Sequence, residues 1–387
     1  MPRRRCPPPP APVNCPPLPS FPAAAMPSPL NLRNGIITFD HFSWLLEHAD
    51  EDPSSLLLGE DLLQISFFGG QYLLDVGWYA AAAPQGRFTV LLVGNQDWER
   101  PLRRLHTHQI ARLPELINGC IDWLHQHCAD TRPLLHVVAG IVYNARGEVL
   151  LSSRPEGKAY AGYWEFAGGK VEPGEGDTDA LRRELAEELG IRIHTAVPWL
   201  TKIYSYEHAR VRLRFFRVPA NGWHGQLQAR EGQQWRWQKP GCYTVSPMLP
   251  ANAALLNALA VPTAFSGSLH AGLRSADGAF CVLPPDAPHP PPGSRLLSSL
   301  ADLAAAAPRG VRRWPLVRSA REVALASGAR AEAAVWPVGD EAAAEQACAA
   351  LAEGVALPLV LLPSDAALAA RYAERWLAAG AHAVVRG

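Results

Sequence analysis

Residues Gly169 to Ile191 read G-K-V-E-P-G-E-G-D-T-D-A-L-R-R-E-L-A-E-E-L-G-I, and the rest of the chain is organised around them. Five residues separate Gly169 from Glu175, and seven separate Glu175 from the run Arg183-Glu184-Leu185-Ala186-Glu187-Glu188-Leu189-Gly190-Ile191. Glu184, Glu187 and Glu188 stand at i, i+3 and i+4, so on a helix their carboxylates share one side. Leu181, Leu185 and Leu189 give the same helix an apolar stripe. A helix is expected to start near Ala180, with Asp177, Thr178 and Asp179 offering capping oxygens, and to stop at Gly190. Gly168-Gly169 and Pro173-Gly174 punctuate the loop before it.

Carboxylates packed this closely repel one another unless a cation sits among them. Hard oxygen ligands suit Mg2+ or Mn2+, ions that also bind phosphate, so a diphosphate is the natural third party. The bland reading is a solvated acidic helix. Against it, the stretch fills every fixed position of G-x5-E-x7-R-E-U-x-E-E-x-G-U, with U aliphatic, and so resembles the Nudix box.

The resemblance extends over about Leu135 to Ala260. A-G-I-V-Y-N, L-L-S-S-R, W-E-F-A-G-G-K-V-E-P-G-E, R-E-G-Q and M-L-P-A-N-A resemble the MutT-type 8-oxo-dGTP diphosphatases. That resemblance implies an α/β/α sandwich and assigns metal binding to Glu184, Glu187, Glu188, Glu231 and Gly168. It gives catalysis to the same four glutamates, with Glu184 or Glu231 as general base and Arg183 in support. Arg154, Phe166, Asn252, Gly168 and Gly169 would meet the nucleotide. An amide carries donor and acceptor, so Asn252 could tell an oxidised purine edge from an ordinary one. Helix capping is the other reading of Asn252, and a surface salt bridge the other reading of Arg154. Ala167 stands where family members commonly have proline, which loosens the loop modestly and bears on base specificity more than on hydrolysis.

The 387 residues suit two or three domains, and 36 basic residues balance 36 acidic ones. Neutrality argues against stable nucleic-acid or anionic-membrane binding, and no apolar run is long enough for a membrane span. Seven scattered cysteines without zinc spacing are expected to be reduced thiols in a cytoplasmic protein. Residues 1–34 are proline-rich, lack a signal core and are expected to be disordered; translation starts at Met1 or Met26.

Residues 35–130 are expected to form a small α+β domain. A short helix is placed at Phe39 to Glu47, strands at Leu62 to Phe68, Gln71 to Tyr79 and Arg87 to Val93, and a helix over Leu113 to Leu124. Gly69-Gly70 predicts a hairpin. His106 and His108 are assigned to a loop, His125 and His127 to a helix end, none with metal-ligand spacing. Asp75, Gly77, Trp78, Asp97 and Trp98 would form a recognition surface for a protein partner of residues 36–128, or else the tryptophans are core.

Residues 134–260 are the Nudix-like domain, reached through a linker at Ala129 to Pro133. Strands are expected at Leu135 to Tyr143, Glu148 to Ser152, Lys202 to Tyr206, Val211 to Val218 and Gln234 to Trp237. Residues 261–387 alternate alanine-rich helices with short aliphatic strands and resemble the second half of a thiamine-phosphate-synthase-type barrel. A complete barrel needs on the order of 200 residues, and Leu362-Pro363-Ser364-Asp365 replaces the expected glycine-rich phosphate loop. A partial, degenerate TIM-barrel-like domain without catalysis is therefore expected.

Taken together, the chain reads as an α/β protein with a Mg2+-dependent (or Mn2+-dependent) nucleoside triphosphate diphosphatase at its centre, acting on 8-oxo-dGTP. Two alternatives stand beside it. One is a Nudix hydrolase for ADP-ribose or a dinucleotide, and the other a nucleotide-sensing or protein-interaction module.

Overall fold

The computed structural model describes residues 30–33, 35–53, 56, 58, 60–79, 86–206, 208–291, 293–304, 310–329 and 331–386. The proline-rich tract up to residue 29, with both candidate starts, lies outside them. Two compact units emerge, one formed by 22–135 with 203–212, the other by 136–202 with 213–387.

In the first unit, five strands pair in sequence order, Ile36–Asp40, Leu63–Phe67, Tyr72–Tyr79, Arg87–Gly94 and Arg103–Thr107, each antiparallel to the next. The two-glycine turn forms, with Gly69 and Gly70 at φ 67° and 83°. Leu113, Ile117, Cys120, Ile121 and Leu124 bury one face of helix Leu113–His127 against the sheet core of Phe67, Leu74, Phe88 and Val90. The first helix is shorter than expected, Phe42–Glu47, because Ile36-Ile-Thr-Phe-Asp pairs as an edge strand instead. His106 belongs to a strand, not a loop, and bonds Thr89 at 3.1 Å. Trp78 is buried core, whereas Trp98 is exposed.

Residues of the Nudix-like region form two larger sheets, a two-stranded pair of Arg192–Ile193 with Trp223–His224, and helices Asp177–Leu189 and Pro250–Leu259. One sheet has the order Val197–Ser205, Arg210–Val218, Leu134–Val142, Gly168–Lys170; the other has Trp235–Gln238, Val149–Ser153, Trp164–Glu165. Leu181, Leu185 and Leu189 of helix Asp177–Leu189 pack on Val138, Val142, Leu150 and Phe216, as the apolar stripe requires. The helix begins three residues earlier than Ala180: Gly176 is its N-cap without a side-chain cap, and Asp177 and Asp179 lie in the first turn, where they complement the helix dipole. Gly190 ends it in the left-handed conformation at φ 70°.

The C-terminal region holds an eight-stranded sheet whose neighbours follow sequence order, from Ala264–Ser268 through Gly272–Ser275, Cys281–Leu283, Arg295–Ser298, Arg312–Pro315, Ala334–Val338 and Leu359–Pro363 to Ala383–Arg386. The last strand pairs in parallel with the first. Val317 N–H donates to Val335 O at 2.9 Å where the remaining edges meet, so the sheet is nearly closed into a barrel. Gly272–Ser275 runs against both its neighbours, and the other pairings around the sheet are parallel. The region is short for such a sheet: among the described residues α-helices follow three of its strands, as Ala320–Gly328, Glu341–Glu353 and Ala366–Ala379. Phe265, Leu273, Trp314, Val335 and Val385 belong to its apolar core.

Cys120, Cys128 and Cys348 are free thiols. Cys242 is disulfide-bonded, which departs from the expectation of reduced thiols throughout.

Candidate active site on the acidic helix

The turn before the helix is built by one guanidinium. Arg183 donates from Nε and Nη2 to the two carboxylate oxygens of Glu175, both at 3.0 Å, and from Nη2 to Lys170 O at 2.9 Å. Its Nη1 reaches Glu184 at 2.8 Å and Glu187 at 3.3 Å. The planar fork of arginine allows this two-sided grip, tying the loop Lys170–Glu175 to the helix that follows. Glu175 in turn receives Glu172 N–H at 3.1 Å. The Arg183 fork holds the Glu175 carboxyl below its usual range.

Glu184 lies against Gly169. A Cβ at position 169 would come within 2.2 to 2.3 Å of the Glu184 carboxyl group, so only glycine leaves room for it there. Glu188 accepts Gly168 N–H at 3.2 Å. Burial, then the neighbouring Glu165, Glu231 and Glu184 carboxylates, push the Glu188 carboxyl up to about 8. Glu187, by contrast, is exposed on the outer side of the helix.

The R-E-G-Q segment is pinned to the end of the same helix. Gln233 is buried, donates to Glu188 O at 2.8 Å and accepts Glu231 N–H at 2.8 Å. Arg230 donates to Ala186 O at 2.9 Å. The Gln233 bond satisfies a carbonyl that the helix terminus leaves open, and together these bonds carry Glu231 to the acidic side. Its carboxylate meets Lys158 Nζ at 2.6 Å.

Arg154 binds the two oxygens of Glu165 at 2.9 and 2.8 Å and Ala159 O at 2.6 Å. Both side chains of the pair are largely buried, and burial raises the Glu165 carboxyl above its usual range. The salt-bridge reading of Arg154 therefore describes this structure, with a partner that pattern reading overlooked. Phe166 is buried edge-on to Phe215.

Asn252 lies inside helix Pro250–Leu259, whose N-cap is Leu249 with no side-chain bond, so the capping reading is incorrect. Asn252 is 2% exposed, and its Oδ1 is buried without a hydrogen-bond partner. The helix start is tied to the strand leading into the acidic stretch, through Leu249 N–H to Trp164 O and Trp164 N–H to Pro247 O, both 2.8 Å.

Residues 133–256 match the NUDIX domain family. An 8-oxo-dGTP diphosphatase of Haemophilus influenzae is 37% identical over 33% of this chain and 93% of its own length. A CTP pyrophosphohydrolase of Escherichia coli is 40% identical over 32% of this chain and 90% of its own. The chain is a Nudix family member. A solved MutT structure, from work on Aliivibrio salmonicida and Vibrio cholerae, shares 31% identity over 33% of this chain and 98% of that one, with a TM-score of 0.27.

Nudix hydrolases generally use divalent metals such as Mg2+. The donor chemistry of this Nudix site fits such an ion: hard carboxylate oxygens, one of them in the space a side chain at Gly169 would fill. Among the described residues, however, no three His, Cys, Asp or Glu side chains gather around one point. Glu184 and Glu187 are drawn towards Arg183, and Glu231 towards Lys158.

Three contributors escaped the sequence reading. Glu165 sits inside the quoted W-E-F run but carries no spacing signal, Lys158 lies in an aperiodic loop, and Gln233 acts through its amide. In the first unit, His108, His125 and His127 each bond a backbone carbonyl.

In the C-terminal sheet, the helix after the penultimate strand is capped by its own Asp365, which accepts Leu368 N–H at 2.8 Å. Asp340 caps the preceding helix in the same way. A carboxylate thus occupies the position where a helix N-terminus would otherwise bind phosphate. No helix among the described residues is long and apolar enough to cross a membrane.

Proposed function

We propose that residues 134–260 are the catalytic domain of a Mg2+-dependent nucleoside triphosphate diphosphatase, converting 8-oxo-dGTP to 8-oxo-dGMP and pyrophosphate. The observation that carries the substrate assignment is Asn252. A buried amide oxygen without a partner costs stability, and it persists where a ligand supplies the missing donor. The N–H at position 7 of an 8-oxopurine is such a donor, and guanine has none there.

Glu184, Glu188 and Glu231, with Glu187 and the Gly168 carbonyl, would hold the metal. When bound, Mg2+ neutralises phosphate charge and acidifies water. Glu184 or Glu231 takes the proton of the attacking water as general base. Arg183 fixes the loop and helix so that these oxygens stay in place. Phe166 and Arg154 contribute to the nucleotide pocket, Arg154 after release from Glu165. Removal of oxidised nucleotide from the cytoplasmic pool would limit mutation during DNA replication.

One specific observation favours a second reading. The Escherichia coli relative at 40% identity is named a CTP pyrophosphohydrolase, so a pyrimidine triphosphate is the competing substrate. Pyrophosphate release with Mg2+ from 8-oxo-dGTP, dGTP, CTP, ADP-ribose and a dinucleoside polyphosphate separates these readings. Preference for 8-oxo-dGTP that disappears in Asn252→Ala supports the proposal, and preference for CTP overturns it. We further propose that residues 261–387 form a non-catalytic domain and that residues 35–130 serve a protein partner.

A further inference from the structure

Three basic side chains bind the carboxylates of this site, and they differ in how they are held. Arg183 and Arg154 each make several bonds and grip both oxygens of one carboxylate. Lys158 makes one side-chain bond, to Glu231 Oε2 at 2.6 Å. The Lys158 and Glu231 side chains are 46% and 39% exposed, so solvent and ions reach the pair. Exposed contacts of this kind are weak, and a divalent ion competes with them readily.

The loop around Lys158 is fixed at its base and open at its tip. Arg154 N–H donates to Tyr163 O at 2.8 Å and Gly162 N–H to Arg154 O at 2.9 Å, closing the base. Gly157 lies beside Lys158 at φ 82° with nothing within 4 Å of where a side chain would start. Glu188 and Glu165 also attract this ammonium group, and Arg154 repels it.

We propose that Lys158 is the exchangeable counter-cation of the carboxylate site. Its ammonium group neutralises Glu231 until a divalent cation takes that place, and it then turns to the phosphate oxygens of the bound nucleotide. Lysine suits this exchange because its charge is compact, its stem flexible and its binding to phosphate free of a fixed geometry. The inference rests on the metal-site reading proposed above.

The test uses the full chain and the uncharged Lys158→Met variant. Mn2+ binding is measured by electron paramagnetic resonance without nucleotide, and KM for the triphosphate is measured separately. Loss of the competing cation should tighten Mn2+ binding about three- to fivefold, the equivalent of a pair worth up to about 1 kcal/mol. Loss of the phosphate contact should raise KM. Unchanged or weaker Mn2+ binding overturns the proposal, as does an unchanged KM. Glu188→Gln keeps the two readings apart: if it binds Mn2+ as the natural chain does, the metal reading itself fails. If it loses Mn2+ while Lys158→Met behaves as the natural chain, only the exchange is lost.

Discussion

Arg217 donates a hydrogen bond from Nη2 to Nδ1 of His382 at 2.7 Å, joining a strand of the Nudix sheet to the start of the last barrel strand. Because a guanidinium can only donate, Nδ1 must accept, so the proton sits on Nε2 and is shared with Val261 O at 3.0 Å and Pro262 O at 3.1 Å. Trp199 lies 4.2 Å from the same guanidinium. Burial, then Arg217, push the His382 imidazole down to about 3.

That depression has a definite sign. Between about pH 6.5 and pH 3 the unfolded chain binds the proton and the folded chain does not, so the His382 contribution is lost as pH falls through this window. His382→Phe should cost about 1.5 to 3 kcal/mol at pH 7.5, since the buried Arg217 loses its bond to Nδ1 and keeps Tyr143 as a side-chain partner. The cost should be smaller at pH 5. Urea unfolding of both chains at the two pH values checks this; an equal cost at both contradicts the depressed His382 imidazole.

Gly169→Ala is expected to impair the site more than the fold. The new Cβ meets the far end of the Glu184 side chain, which can swing aside, but only by leaving its place beside Arg183. Hydrolysis should fall about 10- to 100-fold, the range seen when groups that orient a metal site are disturbed, with a small change in Tm. Paired kinetic and thermal measurements decide it.

Arg183→Lys should behave differently. An ammonium group cannot reproduce the two-point grip on Glu175 together with the Glu184 and Lys170 bonds, so stability and kcat fall together. A loss of about 1 to 3 kcal/mol is expected from the charged hydrogen bonds. A lysine variant with unchanged Tm and kcat would contradict the fork's role.

For Asn252→Ala, stability should change by less than about 1 kcal/mol, since the amide oxygen has no partner to lose. A large drop in Tm would mean that Asn252 is structural and would remove the basis for its role in base recognition.

Gly354→Ala probes the packing of the barrel on the Nudix sheet. At φ 102° the added Cβ would stand 2.2 Å from Thr201 Oγ1, beside the bond from Thr201 N–H to Val355 O at 2.8 Å. Backbone strain and overpacking together should cost about 2 to 4 kcal/mol, readable in Tm and in faster hydrogen exchange at Thr201.

What the sequence determined is local. The spacing of Gly169, Glu175, Arg183, Glu184, Glu187 and Glu188 announced a loop and a helix because both fix geometry within a few residues, and the Gly69-Gly70 hairpin was legible for the same reason. Ile36–Asp40 was misread because a short β-branched run beside a helix acquires strand character only from its partner, Leu63–Phe67. The barrel's closure was hidden too, since strands of four residues such as Arg295–Ser298 and Arg312–Pro315 show no periodicity. Only tertiary structure decided that Lys158 meets Glu231, 73 residues away, that Arg154 is held by Glu165, and that Asn252 keeps a bare oxygen. Chain pattern sets which face of an element is buried, but burial selects which distant polar groups must find each other and which are left for a ligand.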